Sequence, residues 1–74
     1  AVEVFKKAFE LEPKFEEARK LYALSLFVAG QTKEADKLLI DGFGTVIIND
    51  SNLLNIYKQL KLNDRVKKIE ALDN

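Results

Sequence analysis

Few side chains in this sequence could do chemistry, and their spacing decides which kind. Glu17, Lys20, Leu24 and Phe27 step by three and four, which sets a carboxylate, an ammonium, an aliphatic and an aromatic group on one stripe of a helix. That mixture suits holding a polypeptide rather than breaking a bond. The combinations that catalysis needs are missing. Glu16 and Glu17 are adjacent and so do not converge on one substrate as paired carboxylates would. Ser25 has no histidine to activate it, because the chain contains none. Asp50 has no metal-binding loop around it, and no glycine-rich phosphate loop is present. Without histidine or cysteine, the chain lacks the commonest general base, the thiolate ligands, the thiol nucleophile and any disulfide. Neither an enzyme nor a cofactor or metal site is expected.

Composition narrows the partners. Twelve lysines and arginines balance twelve aspartates and glutamates, so the formal net charge is zero. Nothing in that balance draws the whole molecule to nucleic acid or anionic lipid. The longest apolar stretch, Leu21 to Ala29, is broken by Ser25 and falls short of the roughly 18 residues of a membrane span. It reads as a buried helix, with no membrane insertion of this segment. Ala1 to Glu12 has no uninterrupted apolar run of the signal-peptide kind. The compartment stays open, cytoplasmic or extracytoplasmic. Asn49-Asp50-Ser51 has the form of a glycosylation sequon, but Asp50 or Ser51 is better explained as a helix cap.

The elements that carry these residues are helices. From Ala1 to Leu11, apolar residues fill about half the circumference at about 100° per residue, and Pro13 closes the segment. A second helix is expected from about Phe15 to Ala29, stopped by Gly30. A third, capped by Thr32, runs from about Lys33 to Phe43, stopped by Gly44. A fourth, capped by Asp50 or Ser51, reaches about Lys61. A fifth starts at Asn63 or Asp64 and ends near Leu72 or Asp73. Val46, Ile47 and Ile48 favour extended backbone but have no second strand to pair with. They are expected to form a connector whose side chains tuck between helices.

The chain repeats itself. Ala1, Ala35 and Ile69 are spaced by 34 residues. The same shift takes Phe5 to Leu39, Ala8 to Gly42, Tyr22 to Ile56, Ala23 to Tyr57 and Leu26 to Leu60. Small residues at Ala23, Ala35 and Gly42 would let helices approach, with Phe5, Tyr22, Leu26, Leu38 and Leu39 filling the space between them.

On these residues the chain resembles the tetratricopeptide repeat family. Ala1, Phe5, Ala8 and Pro13 match the second helix of a repeat. Tyr22, Ala23 and Leu26 match a first helix, Ala35, Leu39 and Gly42 the second helix after it, and Leu53, Ile56, Tyr57 and Leu60 a third unit. The departures are the family's tryptophan, with Arg19 and Leu53 in its places, and a divergent last unit. The resemblance implies an all-α fold of about five helices, antiparallel pairs stacked as an α-solenoid. It divides the chain into a truncated repeat over 1–13, a full repeat over 14–47 and a divergent repeat or cap over 48–74. It also implies a carboxy-terminal portion of a longer array, cut at its amino end, with self-association possible through the first helix.

The family's function follows as an expectation: a scaffold that binds a peptide, helix or domain through a concave face. That face would carry Glu17, Lys20, Leu24, Phe27 and Val28, then Ser51, Leu54, Asn55, Lys58, Lys61 and Leu62. Lys20 and Asn55 fit two positions of the carboxylate clamp that some members use, but Leu24 stands where the clamp needs an asparagine. Phe27 and Leu24 are either groove residues or part of a contact with an upstream repeat. A weaker resemblance, carried by Gly42 to Asp50 and by Leu53, Leu54 and Tyr57, is to repeat tails of bacterial membrane proteins that ligate or polymerise surface polysaccharide. It implies a structural or assembly role. An RNA-binding helical repeat is disfavoured by the zero net charge and by Leu24 and Phe27.

Overall fold

A computed structural model describes residues 2–72 as five α-helices: α1 (Val2–Leu11), α2 (Glu16–Val28), α3 (Thr32–Phe43), α4 (Ser51–Gln59) and α5 (Asn63–Leu72). The all-α class and the helix count agree with the sequence reading, and no strand occurs among the described residues. Ala1, at the first position of the 34-residue register, and Asp73, an alternative end for the fifth helix, lie outside the described residues.

The connectors explain the element boundaries. Pro13 sits inside a turn closed by the Phe15 N–H donating to the Glu12 carbonyl at 3.0 Å, and its fixed φ suits that place. Gly44 ends α3 in the left-handed region, φ 79°, with its N–H on the Ile40 carbonyl. Asp50 caps α4, its carboxylate accepting from the N–H groups of Asn52 at 2.9 Å and Leu53 at 3.1 Å. Thr32 does not cap α3. The preceding turn starts the helix one residue early, so Thr32 is already helical and Gln31 stands at the cap with no side-chain bond.

Two of the turns are copies of each other. After α2, Gly30 N–H donates to the Phe27 carbonyl and Gln31 N–H to the Leu26 carbonyl. After α4, Lys61 N–H donates to the Lys58 carbonyl and Leu62 N–H to the Tyr57 carbonyl. Both are Schellman closures around a left-handed residue, Gly30 at φ 84° and Lys61 at φ 61°. These turns are 31 residues apart, not 34. The sequence register therefore slips by about one helical turn inside the last unit, and α4 is shorter than α2. Ile69, the equivalent of Ala35 in the 34-residue register, stays buried because a slip of three residues returns to nearly the same helix face.

The core sits around α2, which packs against α1, α3 and α4, while α5 packs on α4. Ala23, Phe27, Ala35, Leu39, Leu53 and Tyr57 are fully buried. Ala23 and Ala35 are the close-approach positions expected of small residues. Gly42 has a different use. It is exposed, and a Cβ there would collide with the Arg19 side chain. The glycine thus lets the guanidinium lie across α3, donating to the Leu38 carbonyl at 2.9 Å and sitting 4.7 Å from the Phe9 ring centroid.

Residues 45–50 form the expected irregular connector. Val46, Ile47 and Ile48 are half-buried against the core, and the Tyr57 hydroxyl donates to the Val46 carbonyl at 2.8 Å. The connector separates α3 from α4, which do not pack directly on each other. A polar contact ties α3 to α5 instead: Arg65 of α5 grips Asp36 of α3 through two bonds of 2.8 and 2.9 Å.

Lys61 is the one described non-glycine residue with positive φ, and its side chain is exposed. Replacing it with glycine removes the Cβ strain of the left-handed conformation. Lys61→Gly is expected to raise stability by about 0.5–1 kcal/mol, and Gly30→Ala to lower it by a similar amount. Urea titrations read both. Unchanged midpoints would contradict the turn geometry.

Candidate functional site

The stripe read from the sequence divides in three. Glu17 is exposed and pairs with Lys20 at 3.3 Å. Lys20 is committed elsewhere as well: its ammonium donates to Asp50 at 3.0 Å, joining α2 to the cap of α4. The hydrogen bond to Asp50 leads in raising the Lys20 pKa, with Glu17 adding to it against desolvation. For Asp50, partial burial pushes the carboxyl up. The Lys20 ammonium and the Leu53 and Asn52 N–H groups outweigh that and hold it below its ordinary value. A lysine held this way is a structural tie between helices rather than a free cation for a ligand.

Phe27 leaves the candidate face altogether. It is fully buried, with its ring meeting that of Tyr57 edge to face at a centroid distance of 5.4 Å and an interplanar angle of 89°. Neither of the two placements expected for it holds, since α4 of this same chain covers it and no upstream repeat is needed. The physical reason is the α2–α4 contact. That contact turns the Phe27 side of α2 inward and leaves Glu17, Leu24 and Val28 on the outer side.

Leu24 belongs to a different feature. Together with Leu21, Ser25, Val28 and Ala29 of the α2 region, and Val2 and Phe5 of α1, it lines an open apolar groove of about 410 Å³. Val28 at its rim is 74% exposed. Ser25 contributes no chemistry there, because its hydroxyl donates to the Tyr22 carbonyl at 2.6 Å. The groove exists because α1 packs on α2 through one side only. Phe9 meets Tyr22 at 5.8 Å between ring centroids, while α1 has no fully buried residue despite an apolar arc of half its circumference. Val2, Phe5 and Leu21 were not singled out from the sequence as site residues. The signal for them was present in the spacing of Leu21, Leu24 and Val28, which step by three and four.

Asn55 and Lys58 are exposed along α4, and Lys61 is exposed in the turn after it. Among the described residues, no hydrogen bond or ion pair joins them to Glu17 or Lys20. A carboxylate clamp built from Lys20 and Asn55 is therefore not assembled: Lys20 is paired with Asp50, and Leu24 faces an apolar groove. No group of three potential metal ligands lies together among the described residues, and no helix is long and apolar enough to cross a membrane. Comparisons of the chain with protein-family models, with curated proteins and with solved structures each returned no match.

Two outcomes check these placements. Phe27→Ala is expected to cost about 3–5 kcal/mol of folding stability, and Val28→Ala no more than about 0.5 kcal/mol. A tolerated Phe27→Ala would return that residue to the surface. Asp50→Ala is expected to cost about 1–2 kcal/mol near neutral pH, from the lost cap and the lost tie to Lys20. Because the folded pKa of Asp50 lies below its unfolded value, its contribution is present in full above the unfolded pKa. It is lost as pH falls through the folded one. Denaturation midpoints of the two proteins should therefore converge in acid. A constant gap at all pH values would remove Asp50 from the linkage.

Proposed function

We propose that the chain is a tetratricopeptide-like helical-repeat segment that works as a protein–protein interaction module, with the apolar groove between α1 and α2 as its contact surface. The observation that carries this reading is the groove itself: a concave, mainly aliphatic surface bounded by two helices, with no charged side chain among its lining residues. A ridge of side chains from a third helix fits between two such helices, and binding buries the apolar area that folding leaves exposed. Support for the repeat reading comes from the 34-residue register, from burial of Ala35 and Ile69 on it, and from the two matching turns. The surface is apolar and carries no activated nucleophile, so binding is the chemistry it suits.

Leu24 remains from the stripe expected to hold a ligand and is the central groove residue. Glu17 and Lys20 flank it, and Asn55 and Lys58 on α4, with Lys61 in the turn after it, lie outside the groove. The competing reading, a structural or assembly tail, predicts a groove that takes no ligand.

A panel of amphipathic helical peptides titrated against methyl-labelled chain distinguishes the two. Shifts are expected at the methyls of Val2, Leu21, Leu24 and Val28 but not at buried Ile69. Leu24→Asp is expected to weaken the binding about tenfold or more without loss of helicity. Peptide binding that survives Leu24→Asp would place the contact surface elsewhere, and a panel with no binder would favour the tail.

A further inference from the structure

The groove does not stand alone on the molecular surface. Among the described residues six large apolar side chains are strongly exposed, and three of them lie on α1 or at the groove: Val4 at 69%, Leu11 at 73% and Val28 at 74%. On α1, Val4, Ala8 and Leu11 follow each other at spacings of four and three, so they form one exposed stripe. At 100° per residue, Phe5 lies on the α1 circumference between that stripe and Phe9, which packs on Tyr22. Phe5 is also the α1 wall of the groove. An apolar ridge and an apolar groove thus sit side by side, sharing Phe5 as their border. The charged residues of α1, Glu3, Lys6, Lys7 and Glu10, occupy the other side of the helix.

Resting on the reading of the groove as a contact surface, we propose that its occupant is α1 of a second copy of this chain, in a two-fold dimer whose axis passes near Ala8. A surface that closes on its own copy must contain both halves of the fit, because every contact from residue i to residue j occurs twice. The ridge beside the groove meets that requirement on a single chain. Ala8 belongs at the axis because it is the smallest residue of the ridge, and two helices crossing there approach most closely. With antiparallel α1 helices about that axis, Leu11 of one copy faces Phe5 of the other, so each ridge enters the other's groove. No ridge residue is charged, so no ion is stripped of water in the contact. The formal net charge of zero removes the long-range repulsion that would keep copies apart.

The absence of cysteine from the sequence makes a direct test clean. Ala8→Cys is expected to form a disulfide-linked dimer rapidly under mild oxidation, since a residue on a two-fold axis meets itself. Lys33→Cys, exposed at the start of α3, should form little disulfide-linked dimer under the same conditions. Sedimentation of the unmodified chain over a concentration series should show a monomer–dimer equilibrium. Leu11→Asp on the ridge and Leu24→Asp in the groove should each weaken it about tenfold or more, with circular dichroism confirming retained helicity. A monomer at every concentration would overturn the proposal, and so would equal cross-linking at positions 8 and 33 or a dimer indifferent to both aspartates. If the chain is monomeric while the helical peptides still shift Leu24 and Val28, the second copy falls and the binding module stands. If neither partner engages the groove, both readings fall.

Discussion

The edge-to-face contact between Phe27 and Tyr57 holds the two halves of this small protein together. Both rings are completely buried, and Phe27 and Tyr57 lie 30 residues apart in the chain. An aromatic pair of this geometry contributes about 0.5–1.5 kcal/mol beyond the area it buries. The Tyr57 hydroxyl gains further value by donating to the Val46 carbonyl, since an unmade bond at a buried hydroxyl would cost about 1–3 kcal/mol. That bond pins the β-branched connector, and the connector spaces α3 from α4. One tyrosine therefore sets the position of α4, the path of residues 45–50 and the exclusion of Phe27 from the surface. Burial raises the pKa of the phenol above its ordinary value, so the hydroxyl keeps its proton and remains a donor.

Charged contacts arrange themselves around that pair. Lys20 reaches across to the cap of α4, and Arg65 reaches from α5 to Asp36 of α3 while lying 5.2 Å over the Tyr57 ring. The hydrogen bond to Asp36 leads in raising the Arg65 pKa against the cost of burial. Both ties span places where backbones are not in direct contact or only sparsely so. Long side chains with charged ends suit such gaps, because their stems cover apolar surface and their heads stay near water. A polar perimeter therefore fixes the register of helices whose apolar contacts alone would permit sliding.

The unevenness of packing links the fold to the proposed function. Around α2 the chain is covered by three helices, and α1 is covered on one side only. A domain this small buries only about 60% of the surface its unfolded chain exposes, so any one-sided helix leaves a large apolar area in water. Here part of that area lies on α1 and in the groove beside it, and contiguous apolar exposure is a feature of contact surfaces where isolated exposed residues are not. The Leu21, Leu24 and Val28 edge stays partly open for the same reason that Phe27 faces inward: α4 covers the Phe27 flank of α2, and α1 covers the other flank only in part.

Helix number and most helix ends were legible in the sequence, because local rules decide them. Pro13, Gly30, Gly44 and Asp50 act through φ restriction, left-handed closure and capping, which involve only near neighbours in the chain. The 34-residue recurrence was also legible, but the shift to 31 residues at the last turn was not. Lys61 carries no sequence mark of the left-handed conformation that Gly30 advertises. Which apolar face of α2 would be covered depended on contacts 30 residues away in the chain. Glu17, Lys20, Leu24 and Phe27 form one stripe by helical spacing, and spacing alone cannot say that α4 will cover Phe27, that Asp50 will hold Lys20 and that Leu24 will be covered only in part. Periodicity assigns residues to faces of a helix. Only the tertiary arrangement decides which face finds a partner, because burial is a property of the neighbouring helices and not of the stripe itself.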